Sequence, residues 1–115
     1  MSEAIYHVTS WDAWREAERA GRYDGSADDR RDGFIHFSAR AQLVESVARH
    51  RAGQSGLVLL SVDPEALGPA LKWEPSRGGA LFPHLYGPLP VAAVRRADDL
   101  PLGADGRHVF PPLGD

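Results

Sequence analysis

Residues 4–20 have the sequence AIYHVTSWDAWREAERA, which predicts a strand followed directly by a helix. The first six of these residues are rich in β-branched and aromatic side chains, as strands are. Side chains alternate along a strand, so Ile5, His7 and Thr9 share one face. Ser10 is the type of residue that caps a helix N-terminus, and helix-forming residues follow it. We therefore predict that the chain opens with a β–α unit.

The β–α pattern recurs once and then gives way to strands. After a polar loop over 21–32, a second strand is predicted over 33–38 and a second helix over 39–51. The charged run Asp28–Asp32 inside that loop is interpreted as solvated surface. Further strands are predicted over 57–62, 70–74 and 91–100.

The order of these elements indicates the fold class. Two main helices come early and most strands come late, which differs from the strict alternation of a doubly wound sheet. We expect an α+β fold with a small curved or split, mostly antiparallel sheet and helices on one side. Segment 81–90 is too rich in proline for a central strand, while Trp73 and Phe82 are expected in the core.

Length and charge limit the protein class. The 115 residues suit a single domain, with a core from about residue 4 to residue 100 and a Pro/Gly-rich tail over 101–115. The formal net charge is -3, so a nucleic acid is not expected as an obligatory partner. All basic residues except Lys72 are arginines, which leaves a local basic groove open.

Cysteine content and hydropathy exclude further classes. The absence of cysteine rules out disulfides, thiolate zinc sites and cysteine nucleophiles. The N-terminus shows no basic region followed by an apolar run, and no apolar stretch approaches the roughly 20 residues that span a bilayer. We expect a cytoplasmic location and no membrane partner.

Three of the five histidines lie in or beside predicted strands: His7, His36 and His84. His7 shares a strand face with Thr9, and His36 shares one with Ser38. If these strands are neighbours with matching faces, two imidazoles and two hydroxyls converge.

Later residues could join this group. Glu74 could reach it from a later strand, and His84 and Tyr86 are two positions apart, so both side chains point the same way in extended chain. Such a cluster could bind an anionic substrate, transfer protons near neutral pH or hold a metal.

Structural interpretations compete with each functional one. A solitary strand histidine is more often a hydrogen-bonded structural residue, and Thr9 and Ser38 stand where hydroxyls cap following helices. Glu74 could be an exposed strand end, and Tyr86 could belong to a tight turn. No HExxH helix or short paired histidine spacing occurs, so no metal is expected.

Four segments together resemble one family: residues 5–9 (IYHVT), 33–38 (GFIHFS), 72–74 (KWE) and 82–89 (FPHLYGPL). The family is the small bacterial one known as domain of unknown function 952. It is in turn similar to the ADP-ribosyltransferases, and especially to their RNA 2′-phosphotransferase branch. The resemblance implies an ADP-ribosyltransferase-like fold.

The resemblance also implies roles for individual residues. His7, with Thr9 beside it, would bind the ribose of NAD, and His36 would pack against the nicotinamide. Glu74 would be the general base, although it does not align with the late glutamate of the transferases. NAD would be a substrate, and the partner a small nucleotide-like molecule.

Two other kinds of function stay open at this point. The chain could be a non-catalytic ligand-binding or accessory module that keeps the cleft, and the missing late glutamate favours this alternative. The third alternative is a histidine metal site. In the transferase-like enzyme and in the binding module alike, we expect ligand contacts from four further residues: Thr9, Ser38, His84 and Tyr86.

Overall fold

The computed structural model describes residues 3–113 and confirms the predicted opening of the chain. Strand β1 (Ile5–Ser10) passes directly into helix α1 (Trp11–Ala20). The Ser10 hydroxyl accepts the Ala13 N–H at 3.0 Å, so the predicted N-cap is present. Gly21 ends the helix with a φ of 85°, a conformation that glycine adopts without steric cost.

The remaining elements alternate short strands with two further helices. The helices are α2 (Ala27–Asp32) and α3 (Arg40–His50). The strands are β2 (Arg22–Tyr23), β3 (Ile35–His36), β4 (Leu57–Val62), β5 (Leu71–Pro75), β6 (Leu81–Leu85), β7 (Leu89–Pro90) and β8 (Val94–Asp99). Short 3-10 turns occupy Pro64–Ala70, Arg77–Gly79 and Val91–Ala93.

Among the described residues, the strands form three small sheets in the orders β1-β4-β8, β3-β6-β5 and β2-β7. Every pair is antiparallel. The α+β class and the split antiparallel sheet are therefore confirmed.

One backbone bridge joins the first sheet to the segment after β3. The Tyr6 N–H donates to the Ser38 carbonyl at 2.9 Å, and the Ser38 N–H donates back at 2.8 Å. This bridge brings His7 on β1 beside His36 on β3.

Strand β4 lies at the centre of two packed cores. Val58, Leu60 and Val62 face the core that contains Trp14. Alternate residues of the same strand face a second core, which includes Leu43 of α3. The prediction of a strand covered on both faces is therefore confirmed. Burial of each of these aliphatic side chains contributes about 1.5–3 kcal/mol to stability.

The predicted polar loop over 21–32 contains a third, short helix besides the two main helices that were predicted. The interpretation of Asp28–Asp32 as solvated surface is wrong for Asp29 alone, since the other four residues are exposed. Ser26 and Asp29 form a capping box at the start of α2: the Asp29 N–H donates to Ser26 Oγ at 3.2 Å, and the Ser26 N–H donates to Asp29 Oδ2 at 2.8 Å. Asp29 is only 3% exposed. These two reciprocal hydrogen bonds thus stabilise a helix that the charged sequence of this segment does not indicate.

Segment 81–90 was expected to avoid a central strand, yet β6 lies between β3 and β5. The Pro83 carbonyl accepts the Phe37 N–H at 3.0 Å. Because the N–H and C=O of a strand residue point to the same neighbour, the hydrogen that proline lacks would face Phe37, just past the end of β3. Proline therefore costs this strand no bond with β5.

Trp73 was expected in the core and is 46% exposed. It lies on β5, which is the edge strand of its sheet, and this position leaves one side of the strand uncovered. Phe82, also expected in the core, is half-buried.

Candidate functional site

A cavity of about 350 Å³ lies between α2 and α3, with β1 and β3 at its base. Its polar and charged lining includes His7, Asp29, Arg31, His36, Ser38 and Arg51. His50 and Gln54 line the same cavity. The predicted residues His7, His36 and Ser38 thus meet at one cavity.

Asp29 is the buried anchor of the cavity wall. Its Oδ1 atom accepts the His36 Nδ1–H at 2.6 Å and the His36 backbone N–H at 3.1 Å. Burial alone would raise the pKa of Asp29, but the hydrogen bonds from His36 and Ser26 outweigh burial and hold the pKa well below its usual value. Asp29 is therefore a carboxylate at neutral pH.

His36 presents a partly exposed imidazole beside this anchor. Its side chain is 42% exposed, and its Nε2 atom lies 3.1 Å from Asp32 Oδ2. The hydrogen bond to Asp29 raises the pKa of His36, and partial burial offsets only some of this effect. His36 therefore carries a positive charge over a wider pH range than an ordinary histidine.

His7 is buried behind His36 and has protein partners at both ring nitrogens. Nδ1 lies 2.6 Å from the His36 carbonyl oxygen, and Nε2 lies 2.9 Å from the Tyr23 hydroxyl. Burial lowers the pKa of His7, so the ring is neutral. A carbonyl only accepts, so Nδ1 carries the hydrogen and Tyr23 donates to Nε2.

Thr9 is not among the residues that line the cavity. It is 3% exposed, and its hydroxyl bonds to the phenol of Tyr23. Burial, which outweighs that bond, raises the pKa of Tyr23 to about 12. Thr9, Tyr23 and His7 therefore form a buried hydrogen-bonded row behind the cavity.

Glu74, His84 and Tyr86 form a second cluster rather than part of the same cavity lining. Glu74 Oε1 accepts the His84 Nδ1–H at 2.8 Å and the Tyr86 hydroxyl at 2.7 Å. These two bonds, with that from Tyr86 the larger contribution, lower the pKa of Glu74. The same bond to Glu74 raises the pKa of Tyr86.

The second cluster meets the cavity through His36 and Phe34. The ring centroids of His36 and His84 are 5.7 Å apart. The Phe34 ring stacks on His84 at 4.1 Å and contacts His36 at 4.6 Å and Tyr86 at 5.2 Å. The single expected cleft is thus two neighbouring polar groups that share His36.

Sequence reasoning missed Asp29, Tyr23 and Phe34. For Asp29 a signal was present, since Ser26 and Asp29 have the spacing of a capping box. Tyr23 was a large aromatic residue in an otherwise polar stretch. Within residues 3–113, no group of three or more histidine, aspartate and glutamate side chains is arranged to hold a metal ion.

Comparisons with solved structures give close matches to one protein. The X-ray crystal structure of protein CC0527 from Caulobacter crescentus is 53% identical over 92% of this chain and 93% of that chain, with a TM-score of 0.89. The crystal structure of its double mutant is 52% identical over the same shares, with a TM-score of 0.88. The solution NMR structure of CC0527 is 54% identical over 90% of each chain, with a TM-score of 0.81.

None of the helices described here is long and apolar enough to cross a membrane.

A search of curated proteins found no match. The model of the family described as protein of unknown function (DUF952) matches residues 8–97, which is most of the chain. The chain therefore belongs to the DUF952 family.

Proposed function

We propose that the protein binds a phosphorylated nucleoside, such as part of NAD, in the cavity beside His36, and that it is an ADP-ribosyltransferase-like enzyme. One observation carries the proposal: the imidazole of His36, fixed by buried Asp29 at 2.6 Å, faces a cavity of about 350 Å³. Carboxylate-oriented histidines are common donors and general acids.

Cationic side chains of the cavity could bind a phosphorylated ligand, although Asp28, Asp29 and Asp32 line the same cavity. The hydrogen bond to Asp29 raises the pKa of His36, so its positive charge persists to higher pH than in an ordinary histidine, and Arg51 lines the same cavity. The Arg51 guanidinium is held by bonds to the Val8 carbonyl at 3.1 Å and to Gln54 Oε1 at 3.3 Å, so its position is defined. Arginine is well suited to phosphate recognition, and local charges act even where the whole chain is acidic.

The size of the cavity supports a ligand of nucleotide scale. Small-molecule pockets usually measure about 300–1,000 Å³, so this cavity lies at the small end of that range. It suits one nucleotide half of NAD, with the other half extending outward. Ser38 supplies a neutral hydrogen-bonding partner in the lining.

In the proposed reaction, the bond between nicotinamide and ribose breaks while an acceptor oxygen bonds to the same ribose carbon. His36 would stabilise the ligand by donating a hydrogen bond, and Glu74 would take the proton of the acceptor. His7 is buried, with protein partners at both ring nitrogens. The His36 ring is partly exposed, so in this proposal its Nε2–H turns from Asp32 to the ligand and His7 lies behind it.

Ligand binding without turnover is a second candidate function. Glu74 already accepts bonds from His84 and Tyr86 through one oxygen, and it is absent from the described lining of the cavity. That position favours a binding module, because a general base must reach the proton it removes.

Calorimetric titration and thermal shift with NAD, ADP-ribose and AMP, together with 2′-phosphorylated RNA, test the proposal. We expect saturable binding that His36→Asn weakens about tenfold or more, as loss of a charged hydrogen bond does. Arg19→Gln is the matched control, because it removes an exposed cation on α1.

Product analysis then separates the two candidates. Release of nicotinamide from NAD supports the enzyme, and saturable binding without product supports the module. Failure of every probe to bind, or equal binding by His36→Asn, overturns the proposal.

A further inference from the structure

We propose that Tyr23 and His7 are positioning residues: together they fix the backbone of His36 and so set the angle at which its imidazole faces the cavity. The inference rests on the proposed function only for the identity of the ligand, because the position of His36 can be measured without one.

A directed row of hydrogen bonds carries the argument. Thr9 bonds to the Tyr23 phenol, Tyr23 donates to His7 Nε2 at 2.9 Å, and His7 Nδ1 donates to the His36 carbonyl at 2.6 Å. Each member has one assigned direction, so the His7 ring is held in a single tautomer.

The last bond of the row acts on the backbone of the residue that faces the cavity. The His36 peptide is held from two sides: its carbonyl accepts from His7, and its N–H donates to Asp29. The imidazole of the same residue bonds to Asp29 as well. A shift of the backbone would therefore lengthen the 2.6 Å bond that raises the pKa of His36.

Tyr23 is itself anchored away from the cavity. It is 4% exposed, and β2 pairs with β7 in the register Tyr23 to Leu89. The His7 ring packs against Tyr23 and Phe37, with centroid distances of 5.1 Å and 5.5 Å. The row thus connects the β2–β7 sheet to the backbone of His36.

In this arrangement His7 has a role at the site although both of its ring nitrogens bond to protein atoms rather than to a ligand. A buried histidine costs stability unless both nitrogens are bonded, and here both are. His7 would then affect ligand binding through His36 rather than by contact.

NMR titration of the histidine side chains tests the inference on the free protein. Tyr23→Phe removes the donor to His7 Nε2, and we expect the pKa of His36 to fall as its bond to Asp29 lengthens, while Asp32, 3.1 Å from Nε2, continues to raise it. The affinity for AMP should fall about tenfold in the same variant.

Two replacements of His7 separate positioning from packing. His7→Asn keeps a donor close to the place of Nδ1, so it should preserve the raised pKa of His36, whereas His7→Leu should abolish it. Trp11→Phe is the control for lost stability, because it removes an aromatic donor bonded to Asp99 at 2.8 Å. If Tyr23→Phe does not fold, the comparison of His7→Asn with His7→Leu decides the inference.

The inference is overturned if Tyr23→Phe and His7→Leu lower the melting temperature but leave the pKa of His36 unchanged. It is also overturned if His7→Asn behaves as His7→Leu does. If AMP binds to no variant, including the unaltered protein, the proposed function fails while the pKa comparison still decides this inference.

Discussion

Asp29 and His36 are joined by a 2.6 Å hydrogen bond, and they differ sharply in exposure: Asp29 is 3% exposed, whereas the His36 side chain is 42% exposed. A buried carboxylate therefore fixes an imidazole that solvent and ligands can reach. Asp29 thus orients the ring from the protein interior, and the charge of His36 lies at the surface.

Replacing Asp29 should change the acid sensitivity of the protein. The folded pKa of Asp29 is lowered, so its contribution is present above the unfolded pKa of about 3.9 and is lost as pH falls further. Urea unfolding at several pH values should show the free energy of unfolding falling below about pH 5. Asp29→Asn should lower stability at neutral pH and flatten this slope; an unchanged slope would contradict the prediction.

His36 should give the opposite pH dependence. Its folded pKa is raised, so its contribution is fully present below the unfolded pKa of about 6.5 and is lost as pH rises through the folded value. The stability difference between the unaltered protein and His36→Gln should therefore shrink as pH increases. A difference that stays constant between about pH 5 and 9 would refute this assignment.

Gly25 should resist substitution because of the space beside Asp29. A Cβ at Gly25 would lie 2.8 Å from Asp29 Cβ and 3.2 Å from Ile35 Cγ1, with a φ of 95°. Gly33 has a similar φ of 89°, but a Cβ there meets nothing within 4 Å. Gly33→Ala thus reports the backbone cost alone, about 1 kcal/mol or more, and Gly25→Ala should be clearly worse in denaturant unfolding.

The second cluster predicts a change in tyrosine titration. The hydrogen bond to Glu74 raises the pKa of Tyr86, so Glu74→Gln should return that pKa toward the ordinary value of about 10. NMR signals of the Tyr86 ring follow the titration, and Tyr23 in the same spectra serves as an internal reference. If the pKa of Tyr86 does not move, the short bond to Glu74 is not present in solution.

The sequence predicted those parts of the fold in which a local pattern decides the structure. Ser10 capped α1 as expected, because a cap and its helix are neighbours in the chain. Burial of β4 on both faces followed from its continuous apolar run. The α+β class followed from the order of the elements.

Other features depend on contacts between distant segments. The burial of Asp29 follows from the fold around α2, which charge counting along the chain does not register. Pro83 is tolerated in a central strand because of where β3 ends, and Tyr23, on the strand that pairs with β7, meets His7 across 16 residues of chain. The histidines were found from the sequence, but their division between two clusters required the sheet register.

Most of the α2 side of the cavity comes from one continuous stretch, residues 26–38, which includes Ser26, Asp29, Arg31, His36 and Ser38. Ile35 and Phe37 belong to the core that contains Trp14, whereas most residues of α2 are exposed, so we expect α2 to open locally more readily than β4. Amide hydrogen exchange at Asp29 and His36 would then report the fraction of molecules in which the cavity wall is assembled. Occupancy by a ligand should slow exchange in this stretch far more than in β4.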